Sequence, residues 1–111
     1  MNTLNSIVYS VRDLAAAKAI HTALLGTQPH TDSPYYVGFN VGGVEFGLTP
    51  HDGSTAPMVA YIEVTDLDSA LAELQAAGAS VVGEPKNVGG GTRIATLTDA
   101  DGTTLGLITR S

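Results

Sequence analysis

Apolar and polar side chains alternate along Ser6-Ile-Val-Tyr-Ser-Val11 and again along Val59-Ala-Tyr-Ile-Glu-Val64. A period of two marks a strand with one buried face. Each run ends in Val-x-Asp-Leu and passes at once into an alanine-rich segment, so the chain predicts a strand followed by a helix, twice. Asp13 and Asp66 stand at the N-cap positions, where a carboxylate can accept from the free amides of the first helical turn. Leu67, Ala70, Leu71, Leu74 and Ala77 recur at helical spacing and predict an apolar stripe on the second helix. Leu14, Ala17, Ile20, Leu24 and Leu25 predict a rougher stripe on the first. Gly26 and Gly78 follow as helix stops.

Further strands come after each helix. Residues 35–41 and 44–49 read as a hairpin about Gly42-Gly43, and residues 92–98 and 103–109 as another about Asp99-Ala-Asp-Gly102. The closing strands match, Gly43-Val-Glu-Phe-Gly-Leu48 against Gly102-Thr-Thr-Leu-Gly-Leu107. Short strands near 27–31 and 80–84 complete the copies. The fold class is therefore α+β, a βαβββ unit written twice in one domain over 1–111. The first module runs to about 52, a linker covers about 50–57, and the second module spans about 58–111.

Strand parity sorts the faces. Ile7, Tyr9, Val11, Val44, Phe46 and Leu48 share one side, as do Ala60, Ile62, Val64, Leu105 and Leu107, and these sides should lie under the helices. The other side carries Ser6, Val8, Ser10, Glu45, Gly47, Thr49 in the first copy. In the second it carries Val59, Tyr61, Glu63, Thr104, Gly106 and Ile108. It is small in volume and mixed in polarity, suited to line water or a ligand cleft.

Composition narrows the class. Hydrophobic residues make up 43 % of 111 and the mean hydropathy is +0.16, enough for a packed core and unlike a disordered chain. With no cysteine there are no disulfides or thiolate metal sites, which fits a reducing, cytoplasmic setting. No basic-then-apolar leader opens the chain and no apolar run approaches a membrane span. The net charge is −6, with only Arg12, Lys18, Lys86, Arg93 and Arg110 as cations. Such a chain repels nucleic acid and anionic membranes, so neither is expected as a partner.

The ordered set Val11-Arg-Asp-Leu14, Ile20-His-x-x-Leu24-Leu-Gly26, Val64-Thr-Asp-Leu67 and Asp99-Ala-Asp-Gly102 resembles the vicinal oxygen chelate superfamily over nearly the whole chain. This is the glyoxalase/bleomycin-resistance/dioxygenase fold. The resemblance implies two βαβββ modules with cupped sheets, often in a homodimer, and in the enzymes a divalent metal held from the first and last strands of each module. Carried over, those positions are Ser6, Gly47, Val59 and Gly106. Glycine and valine offer no donor, and a lone serine hydroxyl is a poor neutral ligand, so no metal and no cofactor are expected. Gly47 and Gly106, at matching places, would instead leave room for an organic molecule, or simply permit twist.

Other candidates follow from chemistry. Tyr36 and Tyr61 offer rings for stacking and hydroxyls for tethering, or are ordinary sheet tyrosines. Asn40 shares the parity of Tyr36 and serves either a ligand or the turn. Arg93 is the one cation expected near the cleft, its face undetermined. Glu45 and Glu63 are candidate acid–base groups if desolvated, and solvated carboxylates otherwise. His21 is expected to pack on its helix, and His30 and His51 lack ligand spacing. Gly89-Gly90-Gly91 has neither lysine nor following helix for a phosphate loop and reads as a mobile flap or plain loop. The expected function is metal-free binding of a small, partly aromatic or apolar molecule, in the manner of drug-sequestering resistance proteins. The alternative is a related isomerase or lyase using a carboxylate base or an unusual metal site.

Overall fold

A computed structural model describes residues 2–51 and 58–110. The elements run β1 (Thr3–Val11), α1 (Leu14–Leu25), β2 (Thr31–Asp32), β3 (Val37–Val41), β4 (Val44–Pro50), β5 (Met58–Glu63), α2 (Leu67–Ala76), β6 (Ser80–Gly89), β7 (Thr92–Thr98) and β8 (Thr104–Thr109). This is βαβββ followed by βαβββ. The chain forms two compact units, Ser6–Val59 and Met1–Asn5 with Ala60–Ser111.

In the Ser6–Val59 unit the strands lie in the order β2-β3-β4-β1. β1 runs parallel to β4 (Ser6 opposite Glu45, Val8 opposite Gly47), and β4 runs antiparallel to β3 (Gly38 opposite Gly47, Asn40 opposite Glu45). Val37, Phe39 and Leu48 are fully buried against Tyr9, Val11, Leu14, Ala17, Leu25 and Phe46. Parity thus places the expected face under α1. Gly42 and Gly43, both at positive φ (58° and 89°), make the two-residue hairpin whose twist suits the flanking strands.

Asp13 caps α1 by accepting from the Ala16 amide at 3.0 Å, and Gly26 ends it at φ 69° with its amide on the Thr22 carbonyl. The packed stripe differs from the expected one. Ile20 and Leu24 are mostly exposed, and His21 takes the inward place. Its Nδ1 lies 2.8 Å from the Ala17 carbonyl oxygen, and its ring stands edge-on to Tyr9 at 5.7 Å between centroids and near Phe46 at 5.4 Å. An imidazole fits that position because its polar edge is satisfied by its own helix while the ring packs on aromatics.

The other unit orders its strands β5-β8-β7-β6, with Tyr61 opposite Gly106 and Thr96 opposite Gly106 on the other side. Its core is Val64, Leu67, Leu71, Ala95, Leu97 and Leu107. Asp66 caps α2 through the Ser69 amide at 3.1 Å. At the far end the Gly78 amide bonds the Gln75 carbonyl and the Ala79 amide bonds the Leu74 carbonyl, the paired closure that a left-handed glycine permits.

Three expectations change. β6 is twice the expected length, and Gly90-Gly91 at φ 60° and 80° form a tight turn into β7, with Gly89 still paired to Thr92; the glycines close a hairpin and are no flap. Pro50 belongs to β4, paired with Val11, not to the linker; it is tolerated at the strand's end, where the ladder asks no further amide of it. The strand expected near 27–31 is only Thr31–Asp32. Linker residues 52–57 lie outside the described residues.

Candidate functional site

The site grows from a four-residue turn. Pro34, with φ already fixed, takes the second position of Ser33–Tyr36. The Ser33 amide donates to the Tyr36 carbonyl at 3.0 Å, and the Ser33 hydroxyl oxygen accepts from the Tyr36 amide at 3.1 Å. The turn throws Tyr35 outward, 80 % exposed, and sends Tyr36 back over the sheet. Tyr36 alternates with Gly38 and Asn40, so it comes down on the side away from α1.

There the ring lies across Gly38 and Gly47, which face each other on β3 and β4. A Cβ on Gly47 would meet the Tyr36 ring and hydroxyl at 2.7 Å, and one on Gly38 would meet the ring at 2.6 Å and Glu45 Oε2 at 2.6 Å. Carbon atoms prefer ~3.5–4.0 Å. The ring therefore requires glycine at both places. The room expected over Gly47 is occupied by the protein's own tyrosine.

A polar chain anchors the ring. The Tyr36 hydroxyl donates to Glu45 Oε2. Glu45 Oε1 lies 2.7 Å from His30 Nε2, and His30 Nδ1 lies 2.7 Å from the Thr31 hydroxyl. In the neutral imidazole this places the proton on Nε2, with Nδ1 accepting from Thr31. The His30 amide donates to the Gly38 carbonyl at 2.8 Å and ties the residue to the sheet. Burial, and then the hydrogen bond and negative charge of Glu45, raise the Tyr36 phenol well above its ordinary value. It stays a proton donor throughout the physiological range. The group is thus a carboxylate with one donor on each oxygen, beside a flat ring.

The remaining sequence candidates separate. Ser6 is 7 % exposed, paired with Glu45 in the β1–β4 register. Asn40 serves its turn, its Oδ1 accepting from the Gly43 amide at 3.2 Å. Tyr61 is half-buried opposite Gly106 in the other unit, and burial raises its phenol. Glu63 accepts from Asn5 Nδ2 at 3.1 Å and faces Arg110 Nε at 3.7 Å; it is a solvated, paired strand-end carboxylate. Arg93 is corrected: it shares the parity of buried Ala95 and Leu97, on the α2 side, and lies 4.0 Å from Asp68. It does not join Tyr61 and Gly106. From the sequence His30 was weighed only as a metal ligand, and Gly38 was not singled out. Gly38 was marked by its parity with Tyr36; His30 carried no signal, since only the backbone pairing with Gly38 brings it to Glu45.

The positions that the resemblance implies for a metal do not suit one: Gly47, Val59 and Gly106 carry no side-chain donor atom, and Ser6 offers one neutral hydroxyl. Among the described residues no three His, Cys, Asp or Glu side chains cluster to hold an ion. The side chains at those four positions therefore offer a divalent cation one neutral oxygen in exchange for its water shell.

Comparison with known proteins places the fold. The profile of the Glyoxalase/Bleomycin resistance protein/Dioxygenase superfamily matches residues 3–107. No curated protein matches the chain. Among solved structures, a hypothetical protein from Bacillus halodurans C-125 superposes with a TM-score of 0.78 at 16 % identity, covering 99 % of this chain and 95 % of that one. An NAD-dependent benzaldehyde dehydrogenase from Legionella pneumophila gives 0.76 at 20 %, covering 96 % and 99 %. Methylmalonyl-CoA epimerase from Mycobacterium tuberculosis gives 0.75 at 20 %, covering 98 % and 88 %. At these identities the likeness is one of fold.

Proposed function

Because the chain belongs to the glyoxalase/bleomycin resistance protein/dioxygenase superfamily, we propose that it binds a small, partly aromatic or apolar organic molecule without a metal ion. The role this implies is binding or sequestration of a drug or metabolite, and the same reading has the chain act as a homodimer. One observation carries it. On the side of the sheet away from α1, a half-buried carboxylate and a tyrosine ring are held over bare backbone at Gly38 and Gly47. Such a surface combines flatness with one oriented acceptor, the pairing that small-molecule sites use for affinity and orientation.

The test is a panel of aromatic compounds screened by thermal denaturation. A ligand at about a hundred times its Kd adds about 2.7 kcal/mol of stability. A panel without a saturable stabiliser would sink the reading.

A second reading is favoured by the Tyr36–Glu45–His30 chain itself. A metal-independent isomerase could use Glu45 to take a proton beside a carbonyl, His30 holding the carboxylate in place. Methylmalonyl-CoA epimerase, among the structures of similar fold, has been solved with methylmalonyl-CoA. Turnover of an acyl thioester abolished by Glu45→Gln would support this reading, and binding without turnover would leave the first.

A further inference from the structure

Resting on that reading of the face away from α1, we propose that Tyr36 is the resident occupant of a ring-binding slot. The ligand displaces it with a planar ring that carries a hydrogen-bond donor, of phenol or aminoaromatic type.

The slot is defined by what the tyrosine touches. Its floor is the backbone of Gly38 and Gly47, paired across β3 and β4. Glycine inside a strand weakens it, and two facing each other are needed here only because a ring lies on them. Its anchor is Glu45 Oε2. His30 holds the other carboxylate oxygen at 2.7 Å, so Oε2 keeps its aim when the tyrosine leaves. That half-buried carboxylate oxygen then loses its donor, and a ring that covers it and shuts water out must supply one. That selects O–H or N–H on a ring. It rejects bare hydrocarbon rings, which leave Oε2 unpaired, and it repels carboxylates and phosphates.

The occupant is built to leave. Tyr36 precedes β3 and closes the turn Ser33–Tyr36. Its backbone bonds to Ser33 do not involve the ring, so rotation about Cα–Cβ lifts the phenol without breaking the turn. Tyr35, from the same turn, already lies in solvent.

The probes are p-cresol and toluene, titrated into the full chain and its variants. Tyr36→Phe keeps a ring in the slot and releases Glu45, and should bind p-cresol about tenfold more tightly than the unchanged protein, the value of one hydrogen bond to a charged group. Tyr36→Ala should bind it more tightly still, with a saturable rise in Tm that toluene does not produce. In the unchanged protein, saturating p-cresol should shift the Tyr36 ring resonances toward those of an exposed tyrosine. Equal p-cresol affinity in the unchanged protein and Tyr36→Phe would overturn the proposal, as would toluene binding as well as p-cresol. A panel compound that binds and perturbs the Gly47 amide while the Tyr36 ring stays put would also overturn displacement, yet leave the proposed binding function standing. The absence of any binder in the panel would instead remove that function.

Discussion

Tyr36 donates its phenol proton to Glu45 while its ring rests on the backbone of Gly38 and Gly47. The strands, the turn and the two glycines are thereby coupled through one side chain. Gly47→Ala would force the ring aside, since its Cβ would sit 2.7 Å from ring and hydroxyl. The expected net loss is ~1–2 kcal/mol, overpacking offset in part by the better strand propensity of alanine. In a Tyr36→Ala background the same change should be neutral or stabilising. Urea denaturation of the double-mutant cycle measures this coupling; additive losses would separate the ring from the glycine.

Alkaline pH should destabilise the fold through the half-buried Tyr36 phenol. Burial and Glu45 raise Tyr36 above its ordinary value of 10.0, so the folded chain holds a proton that the unfolded chain releases. Stability is intact below that unfolded value and falls as pH rises past it. Tyr36→Phe should lessen the fall and remove a late component from the tyrosinate absorbance titration. An unchanged titration would contradict the assigned environment.

Acid acts on a different element. The Ser69 amide and hydroxyl lower Asp66 below the ordinary carboxylate value. A depressed carboxylate stabilises above its unfolded value and loses that effect as pH falls through the folded one. Asp66→Asn should therefore flatten the acid limb of the stability profile. Asp13→Ala, which removes the equivalent cap of α1, should cost about 1 kcal/mol at neutral pH.

Phe39 is fully buried between β3 and α1. Phe39→Ala should cost ~3–5 kcal/mol through lost transfer and a cavity, leaving little native protein in a chain of this size. Circular dichroism melting checks it, and a loss below ~1 kcal/mol would mean the cluster relaxes around the gap.

The repeat, both N-caps, both glycine stops and the long hairpins were legible because each depends on local chemistry: an Asp before a helix, a Gly at positive φ, a period of two. The parity that set Gly47 and Glu45 on one face was equally local. What escaped depends on contacts between distant segments. His30 meets Glu45 only because β2 and β3 pair, and the glycines read as open space until the turn at Ser33 folded a ring onto them. Arg93 could have been placed by alternation with Ala95 and Leu97. The α1 stripe misled because Ile20 and Leu24 satisfy helical spacing as well as His21 does, and only packing on Tyr9 and Phe46 selects between them.

Metal-free recognition of an organic molecule over Gly38 and Gly47 is tested most directly by a backbone-amide titration of the chelator-dialysed protein with its best aromatic binder from the panel. Saturable shifts should centre on Gly38, Glu45 and Gly47 and stay the same when a divalent cation is added back. Shifts that appear only with the cation present, or that fall on the helices and bypass those three amides, would contradict it.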